Sequence, residues 1–160
     1  MSIEKQSIII APHPDDEIIG TFEILNNETK KIIIYDEETF EQRKLEALSL
    51  KDYFPQIIKQ EFLSSLSKEY ISKNATYYFP DPINEIHPKH RCWGNMGEML
   101  ARDGFDVIFY STIMNVPWMH EVKHPGKKLS YLNLIYGSQK DLWKYEHKYF
   151  LWEARYKWIF

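Results

Sequence analysis

Short runs of β-branched residues alternate with helical patterns along this chain, and that alternation limits the folds open to it. Residues 8–11 and 31–35 are apolar on both faces, which is typical of strands buried inside a sheet. Between them, residues 16–26 have the pattern of a short helix. Strand–helix–strand order of this kind predicts a parallel sheet with helices packed on its two faces.

The same alternation continues through the middle of the chain. A Thr-x-x-Gln capping box beginning at Thr39 predicts a second helix, which Pro55 should stop. We expect this helix to direct Leu45, Ala47 and Leu48 towards the core. The later predicted elements are a weak strand over 60–64, a helix over 66–73, a strand over 76–79, a helix over 91–102 and a strand over 106–110.

These elements predict one α/β domain over residues 1–160, with a mostly parallel sheet flanked by helices. A chain of this length buries enough surface to fold without a disulfide or a structural metal. Ligands of such sheets bind at the carboxyl ends of the strands. The two most unusual loops, residues 13–17 and 81–91, directly follow predicted strands and so belong at that edge.

Charge and cysteine content argue against several classes of function. The net charge is −3 at pH 7, so the chain has no overall attraction to nucleic acid or to anionic lipid. No stretch approaches the roughly 20 apolar residues of a membrane span. Cys92 is the only cysteine, which rules out an intramolecular disulfide and suits a reducing compartment. We therefore expect a cytoplasmic protein.

The turn after the first predicted strand is crowded with polar side chains and reads Ala-Pro-His-Pro-Asp-Asp-Glu. His13 and Asp16 are three residues apart, so they can converge on one point in a turn. Imidazole nitrogen and carboxylate oxygen together suit a divalent ion such as Zn²⁺. Asp15 then points towards whatever the metal binds. The alternative is an acidic first helical turn ending at Glu17, but the His-Pro pair ahead of it favours a metal site.

A second loop, after the fourth predicted strand, carries two further histidines. His87 and His90 are also three residues apart. Loop histidines are often only solvated or hydrogen-bonded, but here they offer the third ligand that the first loop lacks. Two histidines and one carboxylate, with a fourth position left for water, form the usual catalytic zinc site.

At these two loops the chain resembles the LmbE-like or PIG-L-like zinc de-N-acetylases. The segment beginning at Ala11 is similar to the family's signature His-Pro-Asp-Asp-Glu loop. The His-Pro-Lys-His segment ending at His90 is similar to the family's His-Pro-Asp-His loop, with Lys89 where the family usually has aspartate. Fainter likenesses are the Arg-x-x-Glu-Ala helix beginning at Arg43 and a late Lys…Ser-Gln segment over 128–139.

The resemblance implies a role for each residue of the two loops. His13, Asp16 and His90 match the metal ligands, which hold Zn²⁺ in this family. Asp15 matches the general base, and His87 matches the histidine that stabilises the tetrahedral intermediate, for which we expect a cationic imidazole. The family's Rossmann-like α/β fold, with its site at the strand ends, agrees with the fold expected above.

The activity that the resemblance implies is removal of an N-acetyl group from an amino sugar or a related small amide, by a zinc-dependent hydrolase. Another divalent transition metal could replace zinc. Two alternatives stay open: a metal-dependent hydrolase of phosphoesters or other amides, and a non-catalytic relative that binds a ligand in the same cleft. The expected partner is a small N-acetylated sugar, with no nucleic acid.

Other residues have less specific interpretations. Trp118 is a candidate to border the substrate by stacking on a sugar face. His120 and His124 have the i, i+4 spacing of a helical metal pair, but flanking prolines favour a solvated loop at the rim. Cys92 is expected to be a small buried hydrophobe rather than a ligand. Arg43 is expected either to contact an anionic substrate group or to form a surface ion pair.

The C-terminal region is rich in aromatic residues. A capping box beginning at Ser138 predicts a helix that runs towards Trp152. Apolar residues at helical spacing predict a stripe facing the core, with an oligomer surface as the alternative. They are Leu142, Tyr145, Tyr149 and Trp152. The apolar tail over 156–160 either docks on the sheet or meets a partner chain in a homo-oligomer.

Overall fold

Seven strands form one sheet in the computed structural model, which describes residues 4–113 and 116–158. The strands are β1 (Gln6–Ala11), β2 (Lys31–Tyr35), β3 (Ile57–Phe62), β4 (Ala75–Pro80), β5 (Asp106–Tyr110), β6 (Met119–Glu121) and β7 (Trp152–Tyr156). The helices are α1 (Asp16–Leu25), α2 (Glu41–Leu48), α3 (Leu50–Tyr53), α4 (Pro88–Arg102), α5 (Pro125–Ile135), α6 (Asp141–Tyr145) and α7 (Lys148–Leu151). Two 3₁₀ turns lie at Lys68–Tyr70 and Gly137–Gln139.

The strand order β3-β2-β1-β4-β5-β7-β6 places β1 between β2 and β4. Strands β1 to β5 are parallel, whereas β7 runs antiparallel to β5 and to β6. The chain adds β2 and β3 on one side of β1, and β4 and β5 on the other. The predicted α/β class with a mostly parallel sheet is confirmed, and the order is consistent with a Rossmann-like fold.

Both faces of the central strands are buried, as their apolar runs predicted. Ile8 and Ile10 belong to one apolar cluster and Ile9 belongs to another, so the sheet separates two cores. Successive side chains of a strand point to opposite faces, which leaves no position in this run for a polar residue.

Helix α4 packs on the sheet through glycines rather than through its cysteine. A Cβ atom at Gly94 would lie 2.6 Å from the carbonyl oxygen of Pro80, and one at Gly97 would lie 2.5 Å from the ring of Phe79. Only glycine allows the helix backbone to approach the strand so closely. The predicted burial of Cys92 is wrong, because Cys92 is on the exposed side of this helix.

The helix predicted over 66–73 is wrong, because this segment bonds to a tyrosine side chain instead. The hydroxyl of Tyr77 donates to the carbonyl oxygen of Tyr70 at 2.5 Å and accepts from the amide of Ser72 at 2.8 Å. Only a 3₁₀ turn forms there. The third strand was predicted over 60–64 and in fact begins three residues earlier, at Ile57.

Helix α2 begins two residues after its predicted capping box at Thr39 and has no side-chain cap. Ala47 is fully buried as predicted, but Leu45 and Leu48 are 59% and 39% exposed. The helix lies beside the edge strand β3, where the side chain of Gln60 donates to the carbonyl oxygen of Ala47 at 2.7 Å. An edge strand offers a helix little surface to pack against. Only the small side chain of Ala47, among the three residues predicted to face the core, is therefore fully buried.

The single helix predicted from Ser138 is wrong, because the chain forms α6, α7 and then β7. Within α6 and α7 the buried side chain is that of Trp143, whose indole N–H donates to Asn133 Oδ1 at 2.8 Å. Leu142 and Tyr145 were predicted to face the core but are 47% and 78% exposed. The backbone leaves the helical conformation at Glu146, where φ is −113° and ψ is 82°, so the helical spacing of the apolar residues is broken between α6 and α7.

The described part of the C-terminal tail docks on the sheet, which was one of the two predicted alternatives. The rings of Tyr156 and Trp158 lie 5.5 and 5.0 Å from that of Phe109, centroid to centroid. Residues 159–160 of the tail lie outside the described part of the chain. None of the described helices combines the length and the apolar character needed to cross a membrane.

Candidate metal centre

Two neighbouring parallel strands bring the two histidine loops together. His13 follows β1 and Asp16 begins α1, while His90 lies in the first turn of α4, after β4. Because β1 and β4 are adjacent and parallel, their carboxyl ends lie at the same edge of the sheet. The chain progresses in opposite directions on the two sides of β1, and such a switch point opens a crevice for ligands.

The three predicted metal ligands converge in this crevice. Asp16 Oδ2 lies 2.9 Å from His90 Nε2 and 3.4 Å from His13 Nδ1, and the two imidazole nitrogens are 3.0 Å apart. The amide of His13 also donates to Asp16 Oδ2 at 2.8 Å, which fixes the carboxylate within the turn. These three side chains therefore form one compact donor set.

The spacing of the donor set fits a divalent ion. Ligands about 2.0–2.1 Å from a zinc ion at tetrahedral angles lie about 3.3 Å from one another. The three observed separations, 2.9 to 3.4 Å, are close to that edge length. Two imidazoles and one carboxylate are also the donors that a catalytic zinc site uses.

A buried carboxylate that no motif in the sequence pointed to, that of Glu85, lies beside His90. Glu85 Oε2 lies 3.6 Å from His90 Nδ1, on the side of the ring away from Asp16. Glu85 is itself held by Thr112, whose amide donates to Oε1 at 2.6 Å. Such outer carboxylates set the tautomer and orientation of a ligating histidine. Lys89, at the position where the resemblance implies aspartate, instead lies 3.8 Å from Asp36.

Electrostatics tie His90 and Asp16 together in the metal-free protein. Burial lowers the pKa of His90, but the charge of Asp16 and hydrogen bonds to Asp16 and Glu85 outweigh it and raise the pKa to about 10. Burial likewise raises the pKa of Asp16, but the charges and hydrogen bonds of His90 and His13 bring it well below its usual range. A proton on His90 therefore compensates the carboxylate where a cation would otherwise do so.

Asp15 has an unusual backbone conformation at the edge of the donor set. Its φ of 108° is the one positive value at a non-glycine residue among residues 4–113 and 116–158. A conformation of this kind costs about 1–3 kcal/mol and clusters at functional sites. Burial, with the charges of Asp16 and Glu17, raises the pKa of the Asp15 carboxyl well above its usual range.

Glu17, beneath this turn, is fully buried. One carboxylate oxygen accepts from the amide of Asp15 at 3.2 Å, and the other accepts from the hydroxyl of Tyr136. Burial raises the pKa of Glu17 to about 8, although the hydrogen bond from Tyr136 opposes the shift. From the sequence, Glu17 was expected only as part of an acidic helical turn, because its partner Tyr136 lies 119 residues away.

His87 lies at the mouth of the site, where it is exposed. Its ring meets that of His13 edge-on, with the centroids 4.4 Å apart. Its Nδ1 accepts from the amide of Lys89 at 3.1 Å, so the neutral ring carries its proton on Nε2. Burial, and then the charges of His13 and His90, lower the pKa of His87, which favours the neutral ring over the expected cation.

A cleft of about 290 Å³ opens directly above the donor set. Its lining is His13, Asp15, Asp16, Ile19, Arg43, His87, Thr112, Gln139, Leu142 and Tyr149. Arg43 Nη2 donates to Gln139 Oε1 at 2.7 Å, and Gln139 Nε2 donates to the carbonyl oxygen of Pro14 at 3.1 Å. Both residues come from the fainter likenesses, and both reach the site. Arg43 also lies 3.7 Å from Glu38, so it lines the cleft and forms an ion pair as well.

Other singled-out residues lie away from this cleft. The ring of Trp118 packs 4.5 Å from that of Tyr156, centroid to centroid, and is not part of the described lining. His120 is in β6, beside Glu23 and Glu153, rather than in a loop. His124 precedes α5, so no helical pair with His120 forms.

The chain was compared with protein-family models, with curated proteins and with solved structures, and none of them matches. The likeness to the de-N-acetylases therefore depends on the residues of the loops themselves.

Proposed function

We propose that this protein is a zinc-dependent hydrolase that removes an N-acetyl group from a small amino sugar. One observation carries the proposal: the donors of His13, Asp16 and His90 lie within 3.4 Å of one another, and Asp15 lines the same cleft. A metal site next to a further carboxyl group outside the donor set is the arrangement that hydrolysis by activated water requires, and the charge of a bound cation lowers the pKa of that carboxyl.

His13, Asp16 and His90 would hold the ion, and Glu85 would keep the His90 ring oriented. When bound, zinc supplies a water of lowered pKa and polarises a carbonyl oxygen. Asp15 receives the proton from the attacking water and passes it to the departing amine. The Nε2–H of His87 donates a hydrogen bond to the oxygen that becomes negative, and the neutral ring suffices for this.

The cleft supports a small substrate. Its volume of about 290 Å³ is at the lower end of ligand pockets, which measure about 300–1,000 Å³. Arg43 and Gln139 offer polar groups at one wall, and Leu142 and Tyr149 offer apolar and aromatic surface at another. Hydroxyl groups and the apolar face of a sugar ring match these two kinds of wall.

The expected location and assembly remain predictions. We infer a cytoplasmic location from the single Cys92, a free and exposed thiol that a reducing compartment preserves. A homo-oligomer would use the aromatic C-terminal region, where Tyr145 is 78% exposed. Sedimentation of the wild-type protein and of Tyr145→Ser tests the second prediction.

Acetate release from N-acetylglucosamine by the zinc-loaded full chain tests the proposed activity. We expect turnover by the wild type, and we expect Asp15→Asn to keep one zinc ion while its kcat falls about 1,000-fold. Asp103→Asn, which changes an exposed aspartate away from the cleft, is the matched control and should leave kcat unchanged.

Two results would contradict the proposal. Turnover of a phosphoester such as p-nitrophenyl phosphate, with no acetate release, would assign the site to another hydrolase class. Stoichiometric zinc binding with no turnover of acetamido sugars, other amides or phosphoesters would indicate a non-catalytic relative.

A further inference from the structure

We propose that Glu17 is a positioning residue, which holds the backbone of Asp15 so that the Asp15 carboxylate faces the substrate. The expected effect on catalysis rests on the proposed function, whereas the contacts of Glu17 are observed directly. Asp15 is the residue with a φ of 108°, and its amide donates to Glu17 Oε2 at 3.2 Å. An unfavourable backbone conformation persists only where surrounding contacts over-determine it.

The peptide units on both sides of Asp15 are fixed. On the amino side, the N–H of Asp15 bonds to Glu17. On the carboxyl side, the carbonyl oxygen of Asp15 accepts from the amides of Ile18 and Ile19 at 3.0 and 2.9 Å. The second pair belongs to the start of helix α1 and would form in any such turn. The bond to Glu17 is the contact that depends on a side chain, so it is the one that a mutation can remove.

Glu17 is anchored from a distant part of the chain. Its other carboxylate oxygen accepts from the hydroxyl of Tyr136, which follows α5 and is fully buried. Tyr136 is in turn held by its amide, which donates to the carbonyl oxygen of Leu132 at 2.9 Å. The carboxylate of Glu17 thus links Tyr136, at the end of helix α5, to the backbone of Asp15, the residue with the positive φ.

The position of the Asp16 carboxylate does not depend on the hydrogen bonds of Glu17. Its carboxylate accepts from the amide of His13 at 2.8 Å and lies 2.9 Å from His90 Nε2. Loss of the Glu17 carboxylate should therefore release Asp15 and spare the metal ligands. A role confined to general packing predicts the opposite, namely a parallel loss of stability, zinc affinity and turnover.

Three variants of the zinc-loaded full chain separate the two roles. In Glu17→Ala we expect kcat to fall about 100-fold, with KM and zinc affinity within about threefold of the wild type. Glu17→Gln keeps an acceptor for the Asp15 amide and a polar group for Tyr136, so it should restore most of kcat. Glu121→Ala, at an exposed glutamate of β6, is the control and should change nothing.

A double-mutant cycle gives a readout that a packing role would not move. If Glu17 acts through Asp15, Glu17→Ala introduced into Asp15→Asn should cause no further fall in kcat. A second fall of about 100-fold would overturn the proposal. If Glu17→Ala does not fold, Tyr136→Phe takes its place as the test variant. We expect its kcat to fall about tenfold at unchanged zinc affinity. An unchanged kcat in Tyr136→Phe would also overturn the proposal.

A crystal structure of zinc-bound Glu17→Ala, or of Tyr136→Phe, separates this inference from the proposed function. Absence of acetate release by the wild type would refute the proposed activity alone. Asp15 should then still leave the positive-φ region in the variant, with His13, Asp16 and His90 unmoved. An Asp15 that keeps its φ near 108° without the Glu17 contact would refute the positioning role, whatever the activity.

Discussion

The described part of the chain holds two clusters of histidine and carboxylate side chains, and they differ in the groups that pair with their carboxylates. In the cluster at the end of β1, the ion-pair partners of Asp16 among the described residues are two imidazoles, His13 and His90. In the cluster under β6 and β7, Glu153 pairs with a lysine and an arginine: Lys128 Nζ lies at 3.4 Å and Arg155 Nη1 at 2.5 Å.

The second cluster has the donor types of a metal site but not its electrostatics. One donor atom from each of its members, Glu23, His120 and Glu153, lies within 4.8 Å of the other two. Arg155 Nη2 is 3.6 Å from Glu23 and 3.5 Å from His120, so its charge occupies the space that a metal ion would need. Imidazoles can lose a proton to admit a cation, whereas an arginine cannot. We therefore expect the first cluster to bind metal and the second to stabilise the fold.

The largest expected effect is on zinc binding. We expect the wild type to bind one zinc ion, and His90→Ala to weaken binding by about 1,000-fold, because one of three protein ligands is lost. His120→Ala, the matched change in the second cluster, should leave stoichiometry and affinity unchanged. Chelator competition measures both, and loss of zinc in His120→Ala would reverse the comparison.

We expect the free energy of unfolding of the metal-free protein to depend more on the second cluster than on the first. Glu153→Ala leaves Arg155 without the carboxylate 2.5 Å from its Nη1, and an arginine cannot release its charge, which should lower the free energy of unfolding by about 3–5 kcal/mol. Asp16→Ala should cost less in metal-free protein, because His90 can release its proton once its partner is gone. Urea unfolding in the presence of a chelator tests this order, and equal losses would contradict it.

Glu85→Gln is expected to weaken zinc binding about 10- to 100-fold, because the outer carboxylate no longer orients His90. Thr112 should still hold the amide that replaces it, so the fold should be retained. The measurement is again chelator competition, with Glu98→Gln as a control distant from the site. An unchanged affinity would mean that the 3.6 Å approach of Glu85 to His90 has no effect on the metal.

The smallest expected effect is the slope of zinc affinity with pH. His90 has its pKa raised to about 10 in the metal-free fold, so zinc must displace its proton at neutral pH. Affinity should therefore rise about tenfold per pH unit between pH 6.5 and 8.5. In metal-free protein the same shift stabilises the fold fully below pH 6.5, and this stability is lost as pH rises through 10. A flat affinity profile would contradict the displacement.

Local pattern was enough for the central strands and for the first loop. The run over 8–11 has no polar residue, so we expected both of its faces to be covered. In the structure its side chains are buried in the two apolar clusters on opposite faces of the sheet. His13 and Asp16 are linked within one turn, and their contact needs no other part of the chain. The helix predicted over 66–73 failed because the hydroxyl of Tyr77, in the following strand, bonds to the backbone of Tyr70 and Ser72.

The supporting residues of the site had no local signal. Glu85 is five residues before His90, outside any recognised spacing, and its function depends on Thr112 at the end of β5. Gln139 reaches the carbonyl oxygen of Pro14 across 125 residues of chain. The exposed Leu142 and the buried Trp143 show the same limit, because helical periodicity does not say where a helix breaks.

The sequence by itself determined the alternation of strands and helices, the class of the sheet and the residue types available to a metal, because each depends on neighbours along the chain. Tertiary structure alone decided that the carboxylate of Asp16 pairs with imidazoles whereas that of Glu153 pairs with arginine and lysine, and which buried carboxylates lie against His90 and Asp15. Those carboxylates are held by partners far along the chain, such as Tyr136 for Glu17 and Thr112 for Glu85. Their energies depend on burial and on charges that meet only when the sheet has formed.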